Sequence, residues 1–482
     1  MPTSRDRPRP DLPWSVPSWV DPVARRATGA LGGPTGRYAV VGARGLAGVA
    51  ALVVLLGAVN LALGVWAKGH CLSKGWATPD QFWRACYSDL PVVHISSPLA
   101  EGLLPWAGET PSDQPPLSGL VMWLMALVTP GSGTGVPEQQ WTLVLWAVLC
   151  VPLLTAGVLA VVAVAPRRPW QAAQLALSPV LTLLVLVSTD LLGVSLTLLA
   201  VWAWRRERGW AAGLLLGLAV LVRPYPLLVL AAMVLLAWRH RHRLRALQAL
   251  VGAVLGALLV VVPLLVVEEQ ALTGAQRWWG RGAGYGALQM IPQLMGAAVP
   301  APVTVAIAVL GWVGALVLGV WLVTRPGRAP LDVVQLSAVM LLVVVLTSAS
   351  VSVQSGLWLL PLLALSVRPW WEHLLWALAE AGHFLATWLH IAFGSDPGRG
   401  LPPEAYAVAV LLRAGAWGWI LWRIFRSAPV TLESGTGSDG SPTGQPPSSL
   451  PRSSASSATD PTWVKDTSGE TLSSTTSRSE RT

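Results

Sequence analysis

The 482 residues are 53% hydrophobic and only 12% charged, with a net charge of +9 and a mean hydropathy of +0.56. A soluble domain carries roughly a quarter charged residues, so the composition excludes a soluble globular enzyme and points to a polytopic helical membrane protein. The positive charge is almost all arginine in short links between apolar runs, which reads as membrane topology and not as a nucleic-acid surface.

Residues 1–45 are polar and rich in Pro and Arg; they are expected to be a disordered cytoplasmic arm, too long for the n-region of a cleavable signal. The apolar run 46–67 is the first span, and a long extracytoplasmic loop, 68–140, follows. Further spans are predicted at 141–165, 171–187, 191–204, 210–222, 226–238, 246–267, 302–324, 332–347, 356–367, 370–392 and 404–424. Arginine clusters at 25–44, 167–168, 205–208, 239–245, 325–328, 368 and 423–426 fix the cytoplasmic side. Together they predict about twelve transmembrane helices within 46–425, with both termini inside. Residues 426–482, rich in Ser, Thr, Gly and Pro, are expected to be a disordered cytoplasmic tail. Several spans fall short of the roughly 20 residues an upright helix needs, as helices shielded by neighbours can. Leu117–Val128 is apolar but must not cross on this path, so it is expected to lie in or dip into the outer leaflet.

This path brings acids and arginines to the non-cytoplasmic side, where arginine is least expected. Asp89 lies in GWATPDQFWRACYSDLPVVH, a stretch that ends on His94, a further substrate-binding candidate. Asp89 suits a general base, which needs an ionised carboxylate in reach of a hydroxyl; the plainer reading is a turn-capping acid. Asp80 reads as a helix start with Thr78 as N-cap. Asp113 lies in the same loop, and Asp190 sits at the hairpin tip VSTDLL, functional or simply solvated. Arg223, in LAVLVRPYPLLVL, can fork onto a phosphate or snorkel to the interface. Arg277 and Arg281, four apart, add charge on the same side and share a face if helical. A lipid headgroup is the plainer anionic partner for all three. Gln354 marks the tip TSASVSVQSG.

Cys71 and Cys86 share the extracytoplasmic loop and suit a disulfide, whereas Cys150 lies in an apolar run and is expected to be inert. No metal site is predicted, since two cysteines in one loop are too few to make one. Glu380 and His383, three apart, are expected to pair as a structural unit. Most of the 27 Trp should anchor at the interface, with Trp76, Trp83, Trp106, Trp278 and Trp279 as candidates for stacking on sugars.

The stretches CYSDLP (86–91), QPPLSGLVMWLMALVTP (114–130), ALSPVLTLLVLVSTDLLGVSLTLLAVWAWRRER (176–208), AGLLLGLAVLVRPYPLLVL (212–230) and SVQSGLWLLPLLAL (352–365) occur in that order. The order resembles the polyprenyl-phosphate-sugar-dependent glycosyltransferases of the GT-C superfamily. It is most similar to actinobacterial family 87, which includes mannosyl- and arabinofuranosyltransferases. The resemblance implies a base at Asp89, the family's second acid at Asp190, a lipid-phosphate ligand at Arg223 in place of a lysine before Tyr-Pro, and a polar contact at Gln354. The chain departs from the family's pattern in three places. QPP replaces Glu-Tyr-Pro, so that acid is missing unless Asp113 substitutes; STD replaces Asn-Trp-Asp; Ser355 replaces a Tyr.

The expected activity is therefore an inverting sugar transfer, of mannose or arabinofuranose, from a polyprenyl monophosphate to a cell-envelope acceptor in the extracytoplasmic leaflet. No cofactor and no nucleic-acid partner are expected. The competing readings are a lipid-linked sugar flippase, motivated by Glu380 and His383, and a non-catalytic cell-envelope scaffold.

Overall fold

A computed structural model of the chain describes residues 21–30, 43–131, 133–274, 282–297, 299–325, 331–349, 351–366 and 368–426. Regular structure among them is helical throughout. In chain order the α-helices are α1 (Pro22–Ala30), α2 (Ala43–Ala67), α3 (Gly69–Lys74), α4 (Asp80–Trp83), α5 (Asp89–Ser96), α6 (Pro116–Val128) and α7 (Val136–Val164). They continue with α8 (Ala172–Ala176), α9 (Pro179–Leu184), α10 (Asp190–Arg205), α11 (Gly209–Val220), α12 (Pro226–Arg239) and α13 (Arg243–Val267). The last are α14 (Met290–Leu294), α15 (Ala301–Thr324), α16 (Val333–Thr347), α17 (Gly356–Leu365), α18 (Trp370–Phe393) and α19 (Pro403–Arg426).

Five described helices are long and apolar enough to cross a membrane: α2, α7, α13, α15 and α19. Helices also stand where the other spans are expected, with one clear difference. The expected span 171–187 is broken into α8 and α9 at Leu177 and Ser178. The cause is Pro179, which cannot donate to the preceding turn and holds Ser178 in an extended conformation. The break frees carbonyls inside an apolar bundle, where an unsatisfied one is costly. Asn60 of α2 bridges the break: its Nδ2 donates to Ala176 O at 2.9 Å and to Ser178 O, which also accepts from Leu181 N, at 3.1 Å.

The arm expected to be disordered carries α1. Asp21 caps it, its Oδ1 accepting from Val23 N at 2.8 Å and Ala24 N at 3.1 Å. Its other oxygen accepts from Trp370 N at 2.8 Å, which ties α1 to the start of α18. Residues 1–20, 31–42 and the tail from 427 lie outside the described residues.

Helices α11 and α13 pack backbone against backbone, and glycine makes this possible. A Cβ on Gly213 would lie 2.1 Å from Ala249 O, one on Gly217 2.0 Å from Ala253 O, and one on Gly256 2.3 Å from Leu214 O. Gly213 and Gly217 are one turn apart, so they form a single bare face against which the opposite backbone lies.

The turns then sort to the two ends of the helices. Asp190 is the first residue of α10 and Arg205 the last. At the Arg205 end, Arg205 pairs with Asp332 at 3.4 Å, and Glu372 takes Arg368 at 3.3 Å and also Arg423. At the Asp190 end the turns before α5, α10, α12 and α17 meet. Helix α6 lies among them; at 13 residues it is about 20 Å long, short of the roughly 30 Å hydrocarbon core.

Gly217→Ala should lower the thermal stability of the detergent-solubilised protein by about 1–3 kcal/mol, the cost of forcing packed helices apart. Gly415→Ala, where a Cβ meets nothing within 4 Å, should leave the unfolding curve in place. Equal curves for both would refute close backbone contact between α11 and α13.

Candidate active site

The turn before α5 is held from three sides. Cys71 of α3 and Cys86 form a disulfide, as expected. Trp76 Nε1 donates to Cys86 O at 3.1 Å, and Lys68 Nζ donates to Tyr87 O at 2.6 Å. Ser88 caps α5, and its hydroxyl donates to Leu186 O at 2.6 Å. Asp89 N donates to Val187 O at 2.7 Å. These last two bonds stitch the turn onto the one before α10, three residues ahead of Asp190.

The other turns join the same cluster. Thr189 Oγ1 donates to Ser118 Oγ of α6 at 2.8 Å, and Leu117 N donates to Leu221 O at 3.1 Å, just before Arg223. Asp190 is fully buried. Arg223 Nε donates to its Oδ1 at 2.7 Å, and Trp358 Nε1 of α17 donates to its Oδ2 at 2.8 Å. Tyr225 stacks on Trp358 with ring centroids 5.4 Å apart. Tyr225 is itself held by Thr197, 3.2 Å from its hydroxyl. The solvated-tip reading of Asp190 and the snorkelling reading of Arg223 therefore both fail. The Arg223 pairing uses only Nε, so the two Nη groups have no partner among the described residues and remain a fork for an anion.

Asp89 differs from Asp190 in its saturation. Tyr87 OH donates to Asp89 Oδ1 at 2.9 Å, and no other side chain among the described residues bonds the carboxylate. Asp89 also keeps a partial opening to solvent. Burial pushes its carboxyl above the ordinary range; the Tyr87 hydrogen bond and the charges of Arg223 and Lys68 pull it down, and Asp190 pushes it up. Burial likewise raises the Tyr87 phenol, and the neighbouring Asp89 adds to the effect. An uncommitted carboxylate oxygen beside a buried Arg–Asp pair can take a proton from a hydroxyl while the guanidinium holds a developing anion.

Residues 114–349 match the family model for glycosyltransferase family 87. Over this stretch, just under half of its length, the chain is similar to glycosyltransferase family 87. That family is of the GT-C type, and the match supports a membrane glycosyltransferase in general. No curated protein matches the chain. The family 87 stretch includes Asp190 and Arg223; Asp89 precedes it and Gln354 follows it.

The remaining candidates fall in different places. Gln354 is buried in the short turn before α17, one helical turn ahead of Trp358, and its amide has no partner among the described residues. That turn is braced by Arg413 of α19, which donates to Val353 O at 3.1 Å and Ser355 Oγ at 3.0 Å. Asp113 precedes α6, its backbone against Gly274. His94 is buried on α5; burial lowers its pKa, and the opposing charge it senses is Glu138, not Asp89 or Asp190. Arg277, Arg281, Trp278 and Trp279 lie outside the described residues.

Three expectations need correction. Glu380 does not pair with His383: it takes Arg413 Nε at 2.9 Å and Trp417 Nε1 at 2.6 Å, and His383 turns to Tyr406 at 3.5 Å. A guanidinium on α19 outcompetes an imidazole on the same helix because it brings a full charge and a fixed fork. Trp76 and Trp106 are buried with their indole N–H groups on Cys86 O and Gln114 O, so they do not stack on a sugar. Thr78 does not cap α4; its hydroxyl takes Gln81 Nε2 at 3.0 Å, and Asp80 pairs with His70.

Sequence reasoning missed Lys68, Tyr87, Tyr225 and Trp358. Lys68 carried a signal: in a chain with almost no lysine, it stands at the end of the first apolar run.

Asp190→Asn should destabilise the protein by about 3 kcal/mol, since it leaves Arg223 without its counter-charge. Trp358→Phe should cost about 1–2 kcal/mol through one lost hydrogen bond to a buried carboxylate. Denaturation monitored by tryptophan fluorescence checks the order; a Trp358→Phe cost equal to or above that of Asp190→Asn would contradict it.

Proposed function

We propose that the protein is an inverting glycosyltransferase that moves mannose or arabinofuranose from a polyprenyl monophosphate to a hydroxyl of a cell-envelope acceptor. In this reading the donor enters from the extracytoplasmic leaflet, on the side opposite the arginine-rich turns. The two Nη groups of Arg223, without a partner among the described residues, take the donor phosphate, with Arg277 and Arg281 as further candidates. Asp89 removes the proton of the acceptor hydroxyl. That oxygen attacks the anomeric carbon from the face opposite the phosphate, the bond to the phosphate oxygen breaks, and polyprenyl monophosphate leaves with one more negative charge. Arg223 stabilises that charge. Asp190 orients Arg223, and Gln354 offers an amide to the sugar or acceptor. The leaving group is held by guanidinium groups, so the reading requires no metal and no cofactor.

The observation that carries the proposal is the contrast between the two acids. Asp190 has both oxygens filled, one by a cation, and Asp89 has one oxygen uncommitted among the described residues. The flippase reading loses its motive, because Glu380 is bound by Arg413 and Trp417.

With purified protein in vesicles, polyprenyl-phosphate-[14C]mannose or -arabinose and a cell-envelope acceptor, Asp89→Asn should reduce transfer by about 10²-fold or more. Because the Asp89 carboxyl is raised, wild-type transfer should be lost as pH falls at a midpoint above the ordinary carboxylate range. Equal transfer by Asp89→Asn would remove Asp89 as base, and no transfer by the wild type with either donor would overturn the donor assignment.

A further inference from the structure

Lys68 is almost completely buried, at 2% exposure, just past the end of an apolar helix. A buried ammonium in such a place is costly unless a carboxylate answers it. Its one hydrogen-bond acceptor among the described residues is the Tyr87 carbonyl at 2.6 Å, and its ammonium also lies 5.5 Å from the Phe384 ring centroid of α18. A neutral carbonyl and a ring face do not balance a full charge. The carboxylate in electrostatic reach is Asp89, two residues beyond that carbonyl.

The neighbouring charges are otherwise engaged. Asp190 and Arg223, which face Asp89 from α10 and the turn before α12, are bonded to each other. His70 of α3 is paired with Asp80, and His383, beside Phe384 on α18, turns to Tyr406. Asp89 and Lys68 are thus each without a bonded ion partner among the described residues, with the Tyr87 residue between them. Its carbonyl takes the lysine and its hydroxyl donates to the acid.

We propose that Lys68 is a positioning residue for the transfer reaction: it clamps the 86–89 turn through the Tyr87 carbonyl and serves as the counter-charge that holds Asp89 ionised before the acceptor arrives. This rests on the reading of Asp89 as the base. The charge balance gives the device its use. With Lys68 and Arg223 cationic and both acids ionised, the four formal charges cancel. When Asp89 receives the acceptor proton the cluster gains one positive charge, as the leaving phosphate gains one negative charge. Burial brings the Lys68 ammonium down to about 7, with the Asp89 charge opposing the fall. The two groups therefore titrate as a coupled pair.

The test reads Asp89 directly and needs no donor. Infrared difference titration of the full chain in vesicles, with Asp89→Asn as the blank, isolates the Asp89 carboxyl band. In Lys68→Met the Asp89 midpoint should rise by about one pH unit or more. In Lys68→Arg, which keeps the charge and cannot lose its proton, it should return to or below the wild-type value. It should also become a single step. Should Lys68→Met fail to fold, the Lys68→Arg curve decides alone: a curve identical to wild type overturns the proposal, as does an unchanged midpoint in Lys68→Met. Transfer measured in parallel separates the two claims. If Asp89→Asn still transfers sugar, the base assignment falls while the infrared shift stands. If the shift is absent but Asp89→Asn is inactive, only the lysine's role falls.

Discussion

A carboxylate with no solvent exposure inside an apolar helix bundle costs several kcal/mol unless its oxygens are filled, and the arrangement of the site follows from how Asp190 meets that demand. Its two oxygens take Arg223 Nε and Trp358 Nε1. Those partners come from the turn before α12 and from α17, so one buried charge fixes the mutual height of three helices. Trp358 then presents its ring to Tyr225, which holds the turn that carries Arg223. The pair is thus closed on itself. Removing any member leaves a polar group in a dry place, which makes the constellation rigid and aims the unused guanidinium nitrogens in one direction.

Two supports lie behind this closed unit. The bare glycine face of α11 against α13 sets how far α11 runs before its turn reaches Arg223. The buried Glu380–Arg413 pair clamps the backbone of 353–355, from which Gln354 and, a turn later, Trp358 project. In both cases a polar or small-residue device well away from the proposed chemistry decides where a site residue stands. A substitution at Arg413 would act on the site through Trp358 without touching it.

Much of this was legible in the sequence and some was not, for identifiable reasons. Apolar runs locate α2, α7, α13 and α15 to within a few residues, because bilayer solvation imposes a length and a composition that the sequence displays directly. Asp89, Asp190 and Arg223 were legible as turn residues out of keeping with their apolar flanks, and the structure brings those three together. What sequence could not supply was partnership. Glu380 sees His383 three residues away on paper, but Arg413 across the helix interface in space. The break at Ser178 was signalled by Pro179, yet a continuous apolar run concealed it, and only Asn60, more than a hundred residues earlier, shows how the break is tolerated. Lys68 reads as an ordinary span-end lysine until the disulfide folds Tyr87 back over it.

The family match begins at residue 114, after the proposed base. The part of the chain that carries the family's recognisable pattern therefore supplies the ion pair, and a segment outside it supplies Asp89. What joins them ends on backbone carbonyls: the Ser88 hydroxyl donates to Leu186 O and Asp89 N to Val187 O. Backbone contacts of this kind are indifferent to the side chains at 186 and 187, so the base can hold its place beside Asp190 while the sequence around it changes. Ser188–Thr189–Asp190, standing where the resemblance implies Asn-Trp-Asp, is compatible with this, since Thr189 spends its hydroxyl on Ser118 of α6 and Asp190 keeps the charge. The turn is fastened through Thr189, and the acid–guanidinium pair, on which the proposed chemistry depends, stands beside it.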